Sequence, residues 1–162
     1  MSDAMSQASP PVPPSRPGPT TVLVLAGVLG LLGVAAGAFG AHGLESRVSA
    51  EQLDWWQTGA RYQQLHALAL LAIGWGIGPW TRARSLAALC LFAGVLVFSG
   101  TLYAMALGAP RVLGAVTPLG GLALMAGWTL IVVHALAARA RLTTGTDTNS
   151  PSGETPPSTR AS

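Results

Sequence analysis

Apolar residues fill four long uncharged stretches of the chain, residues 17–44, 62–80, 85–110 and 112–138, and the polar residues gather between and beyond them. A bilayer core of about 30 Å is crossed by about 20 apolar helical residues, so each stretch is long enough, or nearly so, to span it. The pattern predicts an all-α, polytopic membrane protein: a four-transmembrane-helix bundle with spans near 20–41, 58–78, 85–107 and 112–137. Ser49 followed by Gln52 has the form of a capping box and predicts a helix from Ala50. Its first turns carry Glu51, Asp54, Trp55, Trp56, Gln57 and Arg61, which places an interfacial stretch before the second span. Pro79 ends that span, and the short link to residue 85 leaves room only for a tight antiparallel turn. Pro118 should kink the fourth span or make it start late.

The polar ends belong to a different regime. Residues 1–19 and 139–162 are rich in Pro, Ser, Thr and Gly with little to bury, and both are expected to be disordered tails around a domain at 20–138. The apolar run at 20–41 exceeds the core of a secretory signal, so the small residues Ala36, Gly37 and Ala38 are not expected to be a cleavage site.

Composition excludes several function classes. Charged residues make up 9% of the chain and apolar residues 50%, a balance that water cannot solvate as a folded domain. The basic charge comes from arginines scattered at segment ends, which suits headgroups and topology and argues against a nucleic-acid partner. Membrane lipids are the expected partners, with a homo-oligomer or a membrane-complex subunit possible beside them. With four crossings, Arg16, Arg82, Arg84, Arg139 and Arg141 fall on one side and Arg47, Arg61 and Arg111 on the other. This bias favours cytoplasmic termini. Cys90 is the single cysteine and reads as a packed thiol, with no disulfide or metal cluster to join.

Two sets of residues stand out. Gly30, Gly33, Gly37 and Gly40 share a stripe about 80° wide on the first helix, a surface for close helix approach, and Gly120 and Gly127 offer the same on the fourth. Polar residues collect in the outer halves of all four spans: His42 on the first, Tyr62, Gln63 and His66 on the second, Ser99 and Tyr103 on the third, Thr117 on the fourth. In hydrocarbon such groups must find partners, so they are expected to face inward, with Gln63, His66, Ser99, Tyr103 and Thr117 in one buried network. One reading makes the cluster a structural knit; the other makes His42 and His66 proton-exchanging or ligand-binding groups in a shallow cavity. No acid stands beside these histidines in the bilayer, so neither a metal site nor any cofactor is expected.

The runs GAFGAHGL at 37–44, YQQLHALAL at 62–70, FSGTLY at 98–103 and TPLGG at 117–121, with Gly127 and Trp128 after them, resemble the small four-helix membrane proteins of domain-of-unknown-function family 423. That family includes the bacterial YgdD-like proteins and eukaryotic transmembrane protein 256. The resemblance covers about residues 21–138 and implies an integral membrane protein, of the inner membrane in a bacterium; it brings no catalytic residues. A non-enzymatic complex subunit, stabiliser or lipid- or solute-interacting module is the leading expectation. The alternative is an oligomeric small transporter or channel with an outer-half polar cavity. Every acid lies outside the spans, which disfavours acid-based proton-coupled export and a membrane enzyme.

Overall fold

The computed structural model describes residues 16–76 and 78–146, with the side chains of 141–146 left out. The described residues are mostly helical and contain no strand. Four α-helices follow one another: α1 Pro19–Phe39, α2 Ala50–Trp75, α3 Arg82–Ala106 and α4 Thr117–Thr146. A π-helical turn, Gly40–Leu44, extends α1, and a 3-10 turn, Arg111–Ala115, precedes α4.

Local chemistry sets these ends. Pro19 opens α1 at a position where its missing N–H costs nothing. The capping box at α2 is present in full: Ser49 Oγ accepts from Gln52 N at 3.2 Å, and Gln52 Oε1 accepts from Ser49 N at 3.0 Å. Pro118 sits in the first turn of α4, so that helix starts late, after the 3-10 turn, and not at residue 112. α2 stops at Trp75, short of residue 78, where a guanidinium from α3 takes its last carbonyls: Arg84 Nη2 donates to Ile73 O at 2.6 Å and to Gly76 O at 2.8 Å. At the other end of the chain, α4 runs on to Thr146, into the stretch expected to be an irregular tail from residue 139. Alanine, arginine and leucine between 135 and 142 are strong helix formers and carry it beyond the apolar core. The remainder of both expected tails, 1–15 and 147–162, lies outside the described residues.

Each helix packs antiparallel on its sequence neighbour, α1 on α2, α2 on α3 and α3 on α4. Glycines set the spacing: a Cβ on Gly74 would meet Leu23 Cδ2 at 2.8 Å, one on Gly94 the Leu124 side chain at 2.7 Å, and one on Gly120 the backbone nitrogen of Phe98 at 2.5 Å. The shared core joins Val22, Leu29, Leu70, Leu91, Val95 and Leu124, one set from each helix. Outside it the surface is apolar: Val24, Leu31, Leu68, Met125 and Leu136 are each at least 60% exposed. Water does not support that arrangement; lipid does.

Three helical stretches are long and apolar enough to cross a membrane, Pro19–Leu44, Arg82–Ala106 and Arg111–Ala140, with mean hydropathies of 2.5, 2.1 and 1.9. α2 is the exception to the expected four, because Arg61, Gln63, Gln64 and His66 stand in its middle.

Candidate functional site

α2 carries the polar chemistry and distributes it to three neighbours. Toward α1 it presents a column of donors. Trp56 Nε1 donates to Ala36 O at 2.7 Å, Gln64 Nε2 to Gly33 O at 2.8 Å and Gln63 Nε2 to Leu29 O at 2.9 Å. A helical carbonyl has a second lone pair for such a bond, provided the donor can come close. The glycine stripe allows that approach. A Cβ on Gly33 would lie 2.9 Å from Gln64 Cγ, one on Gly37 3.2 Å from Gln64 Nε2, and one on Gly40 2.7 Å from Trp56 Cδ1. Gly30 is less confined, with Ala67 Cβ at 3.9 Å. The stripe and the polar residues of α2, expected as separate features, are thus one device.

Toward α3 the pairing is similarly close. Tyr103 Oη donates to Gln63 Oε1 at 3.0 Å, and Ser99 Oγ donates to Gly59 O at 2.8 Å. Gly59 has no room for a side chain: a Cβ there would meet Tyr103 Cε1 at 3.0 Å and Ser99 O at 3.3 Å. The Trp56 ring lies 4.5 Å from that of Tyr103, and both flank a small cluster around Leu44 and Ala106.

Toward α4 the contact is made by His66, which is buried. Its Nδ1 lies 2.8 Å from Tyr62 O, and Trp128 Nε1 donates to its Nε2 at 3.2 Å. A carbonyl only accepts and an indole N–H only donates, so both bonds form together only on the neutral imidazole with its proton on Nδ1. Tyr62 stacks on His66 and packs its ring 4.4 Å from Phe98.

The five residues expected in one network therefore divide. Gln63, Tyr103 and Ser99 hold α1, α2 and α3 together; His66 reaches α4 through Trp128; Thr117 pairs with Thr101, oxygen to oxygen at 2.8 Å, between α4 and α3. The physical reason is the helical turn, since residues three apart such as Gln63 and His66 diverge by about 60°. His42 joins none of these bonds and is exposed on the π-helical turn. On α4, a Cβ on Gly127 would meet Leu91 Cδ2 at 2.6 Å, so Gly120 and Gly127 both face α3.

Several partners escaped sequence reasoning. Gln64 and Thr101 are polar neighbours of residues that did attract notice. Trp56 read as a headgroup anchor, although its spacing of seven from Gln63 puts both on one helical face. Trp128 stood among the residues of the family resemblance, but nothing in the sequence paired it with His66. Among the described residues no buried side-chain nitrogen or oxygen lacks a partner, and no group of three His, Cys, Asp or Glu could hold a metal. Cys90 is a free, half-buried thiol.

The packing order leaves a groove between α2 and α4, floored by α3. The His66 to Trp128 bond bridges it. On one side lies a cavity of about 560 Å³ lined by Tyr62, His66, Phe98 and Met125; on the other, one of about 260 Å³ lined by Ala72, Ile73, Ile131 and His134.

The family model described as "Protein of unknown function (DUF423)" matches residues 36–121. The UPF0382 inner membrane protein YgdD of Escherichia coli K12 is 37% identical over 124 residues, covering 74% of this chain and 92% of YgdD. YwdK, a UPF0382 membrane protein of Bacillus subtilis, is 42% identical over 59% of this chain and 79% of its own length. A UPF0382 membrane protein of Staphylococcus saprophyticus is 40% identical over 57% and 77%. No solved structure matches. The matched segment covers more than half of the chain, from the end of α1 to the start of α4, and holds the α2 donors, so the chain belongs to the DUF423 family of membrane proteins.

Proposed function

We propose that the protein crosses the inner membrane four times with both termini in the cytoplasm and has no chemistry of its own, serving as a subunit or stabiliser of a membrane assembly. α2 is the crossing that hydropathy misses. Its 26 residues reach about 39 Å, enough for the hydrocarbon core. It runs antiparallel to α1 over the same depth, with Trp56 beside Ala36 at one end and Gly74 against Leu23 at the other. Gln63, Gln64 and His66 are turned to neighbouring helices, which removes the penalty that composition alone assigns them, while Arg61 stays exposed.

The observation that carries the non-enzymatic reading is that, among the described residues, every buried side-chain nitrogen and oxygen has a partner. Gln63, Gln64, Ser99 and Trp56 donate to backbone carbonyls of adjacent helices, and His66 has both ring nitrogens engaged. Groups so engaged hold helices together and are poorly placed to bind or transfer a proton. The second reading, an oligomeric small transporter or channel, draws on the cavity lined by Tyr62 and His66.

Proteoliposomes separate the two. Purified protein reconstituted with an internal pH-sensitive dye is expected to show the proton flux of empty vesicles, for wild type and His66→Ala alike. Flux in the wild type that His66→Ala abolishes would replace the subunit reading with transport.

A further inference from the structure

Charge is distributed very unevenly along the long axis. Among the described residues the acids Glu45, Glu51 and Asp54 all lie at the end where α1 finishes and α2 starts, together with Arg47 and Arg111, and Arg111 Nη2 lies 2.6 Å from Glu51 Oε2. The opposite end holds Arg16, Arg82, Arg84 and Arg139 with no acid among the described residues. At that end two cavities, of about 260 and 300 Å³, flank the contact of α3 with α4 and share Ala83, Leu130 and His134. Arg84 lines the first and Arg82 the second. The walls are otherwise alanine, isoleucine, leucine and valine, apart from Trp128 and Thr81.

Arg84 is fixed by the carbonyls of Ile73 and Gly76 and by the Trp80 ring, 5.0 Å from its guanidinium carbon. Carbonyl dipoles and a ring face leave its full charge uncompensated. Arg82 is exposed, and His134 is half-buried between the two cavities. From His134 the apolar wall runs along α4 for six residues, about 9 Å, to Trp128, where the bond to His66 closes the slot. A positive mouth over an apolar slot of that depth matches an amphiphile with an anionic head and a hydrocarbon tail.

We infer that this end of the molecule is a binding site for an anionic phospholipid, its phosphate held by Arg82 with Arg84 and His134 beside it and one acyl chain laid between α2 and α4. The inference rests on the helices crossing the bilayer as proposed above. Failure of that topology would appear in side-specific labelling, and failure of the lipid site in the headgroup preference below.

Quenching of tryptophan fluorescence by brominated lipid tests it, since Trp80 and Trp128 border the site. The full chain is reconstituted in phosphatidylcholine vesicles containing either dibrominated phosphatidylglycerol or dibrominated phosphatidylcholine. Phosphatidylglycerol should quench at about one fifth the mole fraction that phosphatidylcholine needs, and Arg82→Gln should remove most of that preference, as one lost charge contact implies. Arg47→Gln at the opposite end should leave it intact. Ala72→Leu, which fills the slot without touching a charge, should weaken quenching by both lipids at unchanged helical content. Glycerol phosphate in the buffer should not compete. Equal quenching by the two lipids in the wild type, a preference that survives Arg82→Gln, or full competition by glycerol phosphate would each overturn the site.

Discussion

A neutral His66 is the only form that serves both Tyr62 O and Trp128 Nε1, and this makes its coupling to Trp128 measurable. In detergent-solubilised protein, His66→Ala and Trp128→Phe should each lower stability, and the double variant should lose less than the sum by about 0.6 kcal/mol, the average for such bonds in membrane bundles. Gln63→Ala with Tyr103→Phe should behave the same way, because Tyr103 donates to Gln63 directly. His66→Ala with Tyr103→Phe should be additive, since no bond joins them; strong coupling there would restore the single network that depth alone suggested. Glycines give a second test at this scale. Gly120→Ala forces a Cβ against the Phe98 backbone, which cannot rotate away, and should cost about 1–3 kcal/mol in thermal melting. Gly30→Ala meets only Ala67 Cβ at ordinary contact distance and should be neutral or stabilising by up to about 1 kcal/mol. Equal effects at the two positions would contradict the close approach of α3 and α4.

At the scale of the element, the end of α2 depends on Arg84. Arg84→Ala should destabilise the protein by about 1.5–3 kcal/mol, the range for hydrogen bonds to a charged group. Arg84→Lys should restore little of it, because a single ammonium cannot reproduce a planar fork whose Nη2 reaches Ile73 O and Gly76 O while its Nη1 reaches Gly78 O and Pro79 O and its face lies on Trp80. Melting temperatures of the two variants decide this, and full rescue by lysine would reduce Arg84 to a simple charge. The start of α2 was legible in the sequence, since the Ser49 and Gln52 box is complete within four residues. Its end was not. The side chain that takes its last carbonyls comes from α3, and Gly74, Gly76 and Gly78 before Pro79 offer several stop signals of which none singles out residue 75. The same limit applies to the polar cluster: which residues are polar and where Gly33 and Gly120 allow close approach was readable, while which helix each polar residue faces depended on pairings across helices, as at Gly59, that no local pattern encodes.

For the whole molecule, hydropathy and packing describe α2 differently. Hydropathy counts Gln63, Gln64 and His66 as if lipid surrounded them, and so finds three spans. Packing turns them toward the Leu29, Gly33 and Trp128 partners and leaves Leu65, Leu68 and Leu71 outward, 55%, 65% and 41% exposed. The order and number of the helices were legible because long apolar runs bounded by Pro, Gly and Arg admit few alternatives. The number of crossings depends on which face of α2 meets lipid, which is a tertiary property. Side-specific cysteine labelling in a Cys90→Ser background tests it most directly, with single cysteines at Ser46, Pro79 and Ser152 and a membrane-impermeant maleimide applied to intact cells. If α2 crosses the bilayer and the termini are cytoplasmic, Ser46→Cys labels from outside while Pro79→Cys and Ser152→Cys label only after the membrane is opened. Labelling of Ser46→Cys and Pro79→Cys from the same side would show that α2 does not cross, and would contradict the four-span protein.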